Sequence, residues 1–179
     1  MKLLALSGSL RENSYNSRAL EALRELAPMD VELNIGHIQE LPLFNPDLEE
    51  TEIPALEELK SSLTQSSGLI IASPEYAHGI SGPMKNALDW LVSGFEFPGK
   101  PIMLINTSPR AYHALEALKE VLKTMSGDIV EPAFVSIPLL SSNLNKDGIL
   151  ADDDISGALK AGLIEFCTYI KRKDKAAIA

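Results

Sequence analysis

The chain has 179 residues, of which 45% are hydrophobic and 23% charged, with a formal net charge of −9 and a pI near 4.8. Length and composition describe one globular domain, residues 1–179, large enough to bury a full core without staples. The acidity excludes general nucleic-acid binding and attraction to an anionic membrane, both of which need clustered Lys and Arg. The lone cysteine, Cys167, excludes an internal disulfide and any paired Cys/His metal spacing.

The apolar run Leu3-Leu4-Ala5-Leu6-Ser7 stops at Gly8 and suits a strand covered on both faces. Ala19, Leu20, Leu23, Leu26 and Ala27 then place a helical stripe over 15–27. Val31, Leu33 and Ile35 alternate with polar residues, as in a more peripheral strand. Residues 36–52 carry two prolines and a run of acids and read as an irregular loop. Leu56, Leu59 and Leu63 give a second helical face, and Gly68 to Ser73 a third strand.

Met84, Leu88, Leu91 and Val92 predict a helix over 82–93, and Pro101 to Asn106 a fourth strand. Leu115, Leu118, Leu122 and Met125 mark a helix over about 112–125. A fifth strand is expected within 129–137, near Ala133-Phe134-Val135, followed by a polar loop over 138–152. Ile155, Leu159, Leu163, Phe166 and Ile170 mark the closing helix. Strand and helix thus alternate five times, which predicts a parallel sheet with helices on both faces. The opening apolar run is too short for a secretory segment, and no stretch approaches the roughly 20 apolar residues that span a bilayer. A cytoplasmic location is the expectation.

In such sheets ligands bind beyond the carboxyl ends of the strands. The segments leaving strands one, three and four are the most unusual in the chain. The first, Gly8 to Asn16, offers hydroxyls on Ser9 and Ser14, the amide of Asn16 and the charged fork of Arg11. With the free N–H groups of a helix start, this set suits a phosphate monoester. Equally, Ser14 or Asn16 simply caps the helix and Arg11 is solvated. Neither G-x-x-x-x-G-K-[ST] nor G-x-G-x-x-G is present, so the set points to a mononucleotide's terminal phosphate.

The second segment, Ser73 to Pro83, is rich in small residues that let a flat ring approach the backbone. Its N–H groups can bond the edge of a flavin-like ring, and Tyr76 can stack on it. Alternatively Glu75 accepts only local N–H bonds, Tyr76 is core and His78 is a solvated loop residue. In the third segment, Thr107 and Ser108 can bind ring carbonyls or ribityl hydroxyls. Arg110 can meet the phosphate of an incoming nicotinamide, or pair across a subunit interface. His78, Arg110 and Tyr112 are the candidates for the nicotinamide and acceptor side.

Two stretches, GSLRENSYN at 8–16 and SPEYAHGISGPMKNALDW at 73–90, resemble the NADPH-dependent FMN reductase family. The resemblance implies a flavodoxin-like three-layer sandwich with a five-stranded parallel sheet in the order 2-1-3-4-5. It implies an FMN-dependent oxidoreductase with NADPH or NADH as co-substrate. Hydride would pass to FMN and on to a small-molecule acceptor, a free flavin or a quinone, in a ping-pong sequence. Phosphate contacts are carried over to Ser9, Arg11, Ser14 and Asn16, with Tyr15 in the same stretch. Pro74, Glu75, Tyr76 and Ala77 would border the isoalloxazine, largely through backbone groups. Many family members have Asn at the position of Ala77, and a glycine-rich stretch where this chain reads TSPRAYH. No side chain is required as acid, base or nucleophile, and no metal is expected. Lys85, Asn86, Asp89 and Trp90 are assigned to structure, and a homodimer or homotetramer is the expected assembly. The alternative is a flavodoxin-type electron carrier without nicotinamide activity.

Overall fold

A computed structural model describes residues 1–178; Ala179, the last residue of the expected domain, lies outside the described residues. Strands β1 (Lys2–Ser7), β2 (Glu32–Gly36) and β3 (Gly68–Ala72) form a parallel sheet with β1 in the middle. After a short hairpin, β4 (Glu75–Tyr76) and β5 (Gly79–Ile80), the chain returns to the sheet as β6 (Pro101–Asn106), beside β3. The strands β7 (Asp128–Ile129) and β8 (Val135–Ser136) both pair with β6, so the order is β2-β1-β3-β6 and then the β7/β8 position. The expected 2-1-3-4-5 arrangement holds, with the fifth strand in two pieces.

The split has a local cause. Pro132 sits in a 3₁₀ turn, Glu131–Ala133, and a residue without an N–H cannot extend the ladder. The pieces flanking it reach opposite ends of β6, Pro101-Ile102 and Ile105-Asn106.

Helices α1 (Tyr15–Leu26), α5 (Lys146–Ala151) and α6 (Asp153–Ile178) cover one face of the sheet. Helices α2 (Pro54–Gln65), α3 (Gly82–Leu91) and α4 (His113–Thr124) cover the other. Alternate residues of each central strand serve the two cores. Leu3, Ala5, Ile70 and Met103 face α1 and α6, while Leu4, Leu6, Leu69 and Leu104 face α2, α3 and α4. Because both faces are buried, β3 is apolar throughout and β6 is apolar up to its last residue, Asn106, whereas edge strand β2 buries only Leu33 among its five residues. Among the described residues no helix is long and apolar enough to cross a membrane.

Helix α5 lies inside the stretch expected to be loop. It is one short turn and a half, capped by Asn145 Oδ1, which accepts from Gly148 N at 2.9 Å. Asp152 then caps the start of α6, accepting from Ile155 N at 3.0 Å. These caps were visible as residue types, but six residues are too few for a periodic signal. The residues assigned to structure on α3 are engaged within the chain. Asn86 Nδ2 and Trp90 Nε1 both donate to the Pro42 carbonyl, at 2.9 and 2.8 Å, and Phe44 packs edge-on against Trp90. They hold down the loop that follows β2.

Candidate active site

At the carboxyl ends of β1, β3 and β6 a cleft of about 160 Å³ opens between the loops that leave those strands. At its lining residue Ser73 two loops approach closely. Ser81 Oγ donates to the Gly8 carbonyl at 2.6 Å, and Ser73 Oγ would lie 2.3 Å from a Cβ at position 8. Gly8 is therefore needed because two loops touch there; its φ is not in the left-handed region.

One end of the cleft is built by the β1–α1 loop. Ser9, Arg11, Ser14, Tyr15 and Asn16 all line it. Ser14 caps α1, its Oγ accepting from Ser17 N at 3.3 Å, so the capping role is real and coexists with a place in the wall. The N–H groups of Tyr15 and Asn16 begin the helix and have no intrahelical acceptor. Ser9 braces the turn, its Oγ accepting from Arg11 N at 3.4 Å. Arg11 is exposed and, among the described residues, makes no ion pair. A guanidinium, two hydroxyls and a helix N-terminus converge here, a donor set that fits a dianionic phosphate.

Asn16 is committed elsewhere through its oxygen. Thr107 Oγ1 donates to Asn16 Oδ1 at 3.0 Å, and both residues are buried. Thr107 also accepts on its carbonyl from Leu139 N and Leu140 N, at 3.0 and 3.3 Å. One residue thus joins the β1–α1 loop, the loop after β6 and the loop after β8. Tyr15 Oη accepts from Asn143 N at 3.2 Å, and Arg18 donates to the Leu144 carbonyl at 3.1 Å. This ordered segment carries Leu140 into the cleft wall. Leu140 lies in the stretch 138–152, which reads as plain loop, and no residue-type pattern marks it. Its position beyond the fifth strand's carboxyl end was the available signal.

The opposite end is formed by the β4–β5 hairpin and the loop before α4. Pro74, Glu75 and Tyr76 line it on one side, Ser108 and Ala111 on the other. Glu75 is the single carboxylate in the wall. Its Oε2 accepts from Ala114 N at 2.8 Å, in the first turn of α4. Ala77 and His78 form the two-residue turn of the hairpin, with φ of +49° and +61°. Such turns favour Asn and Gly, which makes the alanine at 77 an unrelieved cost. His78 stacks on His113, ring centroids 4.4 Å apart, and Tyr112 packs on His113 in turn. Ala77, His78, Arg110 and Tyr112 accordingly stand beside the wall rather than in it. Among the described residues no group of three or more His, Cys, Asp or Glu residues is placed to hold a metal.

The family model for NADPH-dependent FMN reductase matches residues 1–139. The chain belongs to the NADPH-dependent FMN reductase family. It is 30% identical over 178 residues to an NAD(P)H-dependent FMN reductase of Pseudomonas aeruginosa, covering 96% of each chain. It is 34% identical over 185 aligned residues to a quinone reductase of Escherichia coli, again covering 96% of each. Among solved structures, the flavoenzyme NAD(P)H:(acceptor) oxidoreductase FerB of Paracoccus denitrificans matches with a TM-score of 0.80 and 27% identity, over 96% of this chain and 97% of that one. An archaeal flavodoxin, at 15% identity and a TM-score of 0.62, shares the fold.

Proposed function

We propose that this protein is an FMN-dependent NAD(P)H oxidoreductase that delivers electrons to a small-molecule acceptor, a free flavin or a quinone. The observation that carries the reading is a single cleft with anion donors at one end and a small-residue hairpin at the other. Arg11, Ser9, Ser14 and the first N–H groups of α1 would hold the FMN phosphate. Asn16 and Thr107, bonded to each other, fix the distance between that seat and the loop after β6. The backbone of Pro74 to Tyr76 would border the ring, together with Ser108 of the loop after β6. When bound, FMN supplies the two-electron chemistry. The chain's own part would be to hold the ring against the hairpin and to shield it from bulk water. Leu140 and Tyr76 are the apolar groups placed to do the last of these.

Arg110, Tyr112 and His78, chain neighbours of the lining residues Ala111 and Tyr76, would meet the nicotinamide dinucleotide and then the acceptor. Both substrates would use that one opening in turn, which gives ping-pong kinetics. A cytoplasmic homodimer or homotetramer is the assembly we propose, with neither nucleic acid nor membrane as partner. The test is flavin uptake followed by NADPH and NADH oxidation. Wild-type protein should bind FMN stoichiometrically. R11A should bind it roughly 10- to 100-fold more weakly, because a charge-assisted hydrogen bond is worth about 1.5–3 kcal/mol. Unchanged affinity in R11A would refute the phosphate seat. FMN uptake without any nicotinamide oxidation would leave an electron carrier instead.

A further inference from the structure

Helix α4 begins without a cap of its own. Tyr112 stands at its N-cap position and makes no side-chain hydrogen bond to the first turn. The acceptor comes instead from 39 residues earlier in the chain: Glu75 Oε2, 2.8 Å from Ala114 N. A carboxylate at this place is also favoured by the helix dipole. Glu75 opens the β4–β5 hairpin, whose turn holds two non-glycine residues in the left-handed region. That turn is disfavoured locally, so something outside it must hold it. Two contacts do, both from the start of α4. One is the Glu75 carboxylate; the other is the stack of His78 on His113. They grip the hairpin before and within its turn.

We infer that Glu75 is a positioning residue for the flavin ring, acting through the first turn of α4. By capping α4 it locks the β4–β5 hairpin and the loop 107–113 into one rigid jaw of the cleft. This rests on the reading that the cleft seats FMN with its ring against the hairpin. The same bond explains how a carboxylate is tolerated in a wall that must face an electron-rich ring. Its Oε2 is engaged by Ala114 N at the positive end of α4. The aromatic stack is a second pin, and it accounts for the retention of strain at Ala77 and His78.

The clamp can be tested without the cofactor. Ala114 N is in the first helical turn and has no intrahelical acceptor, so Glu75 is the hydrogen-bond partner whose loss its exchange reports. In the apoprotein, E75A should accelerate exchange at Ala114, and at the hairpin amides, by at least about tenfold. E75Q, whose amide oxygen still accepts, should stay within about threefold of wild type. FMN titration should follow the same order, with the Kd of E75A raised about tenfold and that of E75Q nearly unchanged. H113A removes the stack and leaves Glu75 in place; it should loosen the hairpin amides while Ala114 stays protected. Urea unfolding of each variant confirms that the comparison is made on folded protein. Normal Ala114 protection in E75A, or an E75Q as loose as E75A, overturns the inference. If wild type itself takes up no FMN, the functional reading fails, and the exchange data still decide the clamp.

Discussion

Replacing Thr107 by valine removes one hydroxyl and keeps the shape of the side chain. The Thr107 Oγ1 to Asn16 Oδ1 bond is 3.0 Å long, and the two residues are only 6% and 5% exposed. Water cannot readily replace the lost donor, so the Asn16 carbonyl oxygen is left buried and unpaired. A buried acceptor stripped of its partner costs about 1–3 kcal/mol. For a chain of this length, about 2 kcal/mol corresponds to a fall in Tm of about 6 °C. The bond joins segments 91 residues apart, so its loss also frees the start of α1 relative to the loop after β6. FMN affinity should therefore fall severalfold along with stability. Thermal unfolding followed by circular dichroism, with and without FMN, makes the measurement. T107S keeps the hydroxyl and should recover most of the loss. A T107V protein that melts within about 1 °C of wild type would refute the claim that this buried bond ties the two halves of the cleft.

Other perturbations test separate parts of the structure. A77G should raise stability by about 0.5–1 kcal/mol in urea, since a left-handed φ of +49° costs an alanine more than glycine's extra chain entropy; a loss of stability would show that the turn is not strained. Tyr169 Oη donates to both oxygens of Asp128, at 3.0 and 2.8 Å, tying α6 to β7. That hydrogen bond, with burial and the Asp128 charge adding to it, pushes the tyrosine above its ordinary value. A raised value in the folded state means that the stabilisation is complete below about pH 10 and is lost as pH rises through the folded-state value. The stability difference between wild type and Y169F should hold steady up to about pH 10 and shrink above it; a difference that grows with alkali would contradict the sign.

Much of the architecture is legible one residue at a time. Buried strands such as Gly68–Ala72 are apolar throughout because both their faces are covered, and that needs no knowledge of neighbours. The helical stripes of α1 and α4 are equally local. The fifth strand blurred because Pro132 breaks its ladder, leaving two pieces of two residues each. Helix α5 is too short to show a period. Within the cleft, Ser9, Arg11 and the Pro74–Tyr76 stretch could be picked out because unusual residue types follow buried strands. Leu140 could not, since an aliphatic side chain in a polar loop carries no chemistry of its own to mark it.

The sequence by itself determined which segments lie in the main sheet, which of the longer helices cover it and which loops gather at one edge, because these follow from apolar periodicity along short stretches of chain. Only the tertiary structure decided what each polar group in those loops is for. Glu75 became a remote helix cap, Asn16 a partner of Thr107, and Gly8 a point of contact with Ser73. The physical reason is that a hydrogen bond or a steric contact is a relation between two atoms. Here the paired atoms come from residues 39, 91 and 65 positions apart, distances over which local pattern holds no information.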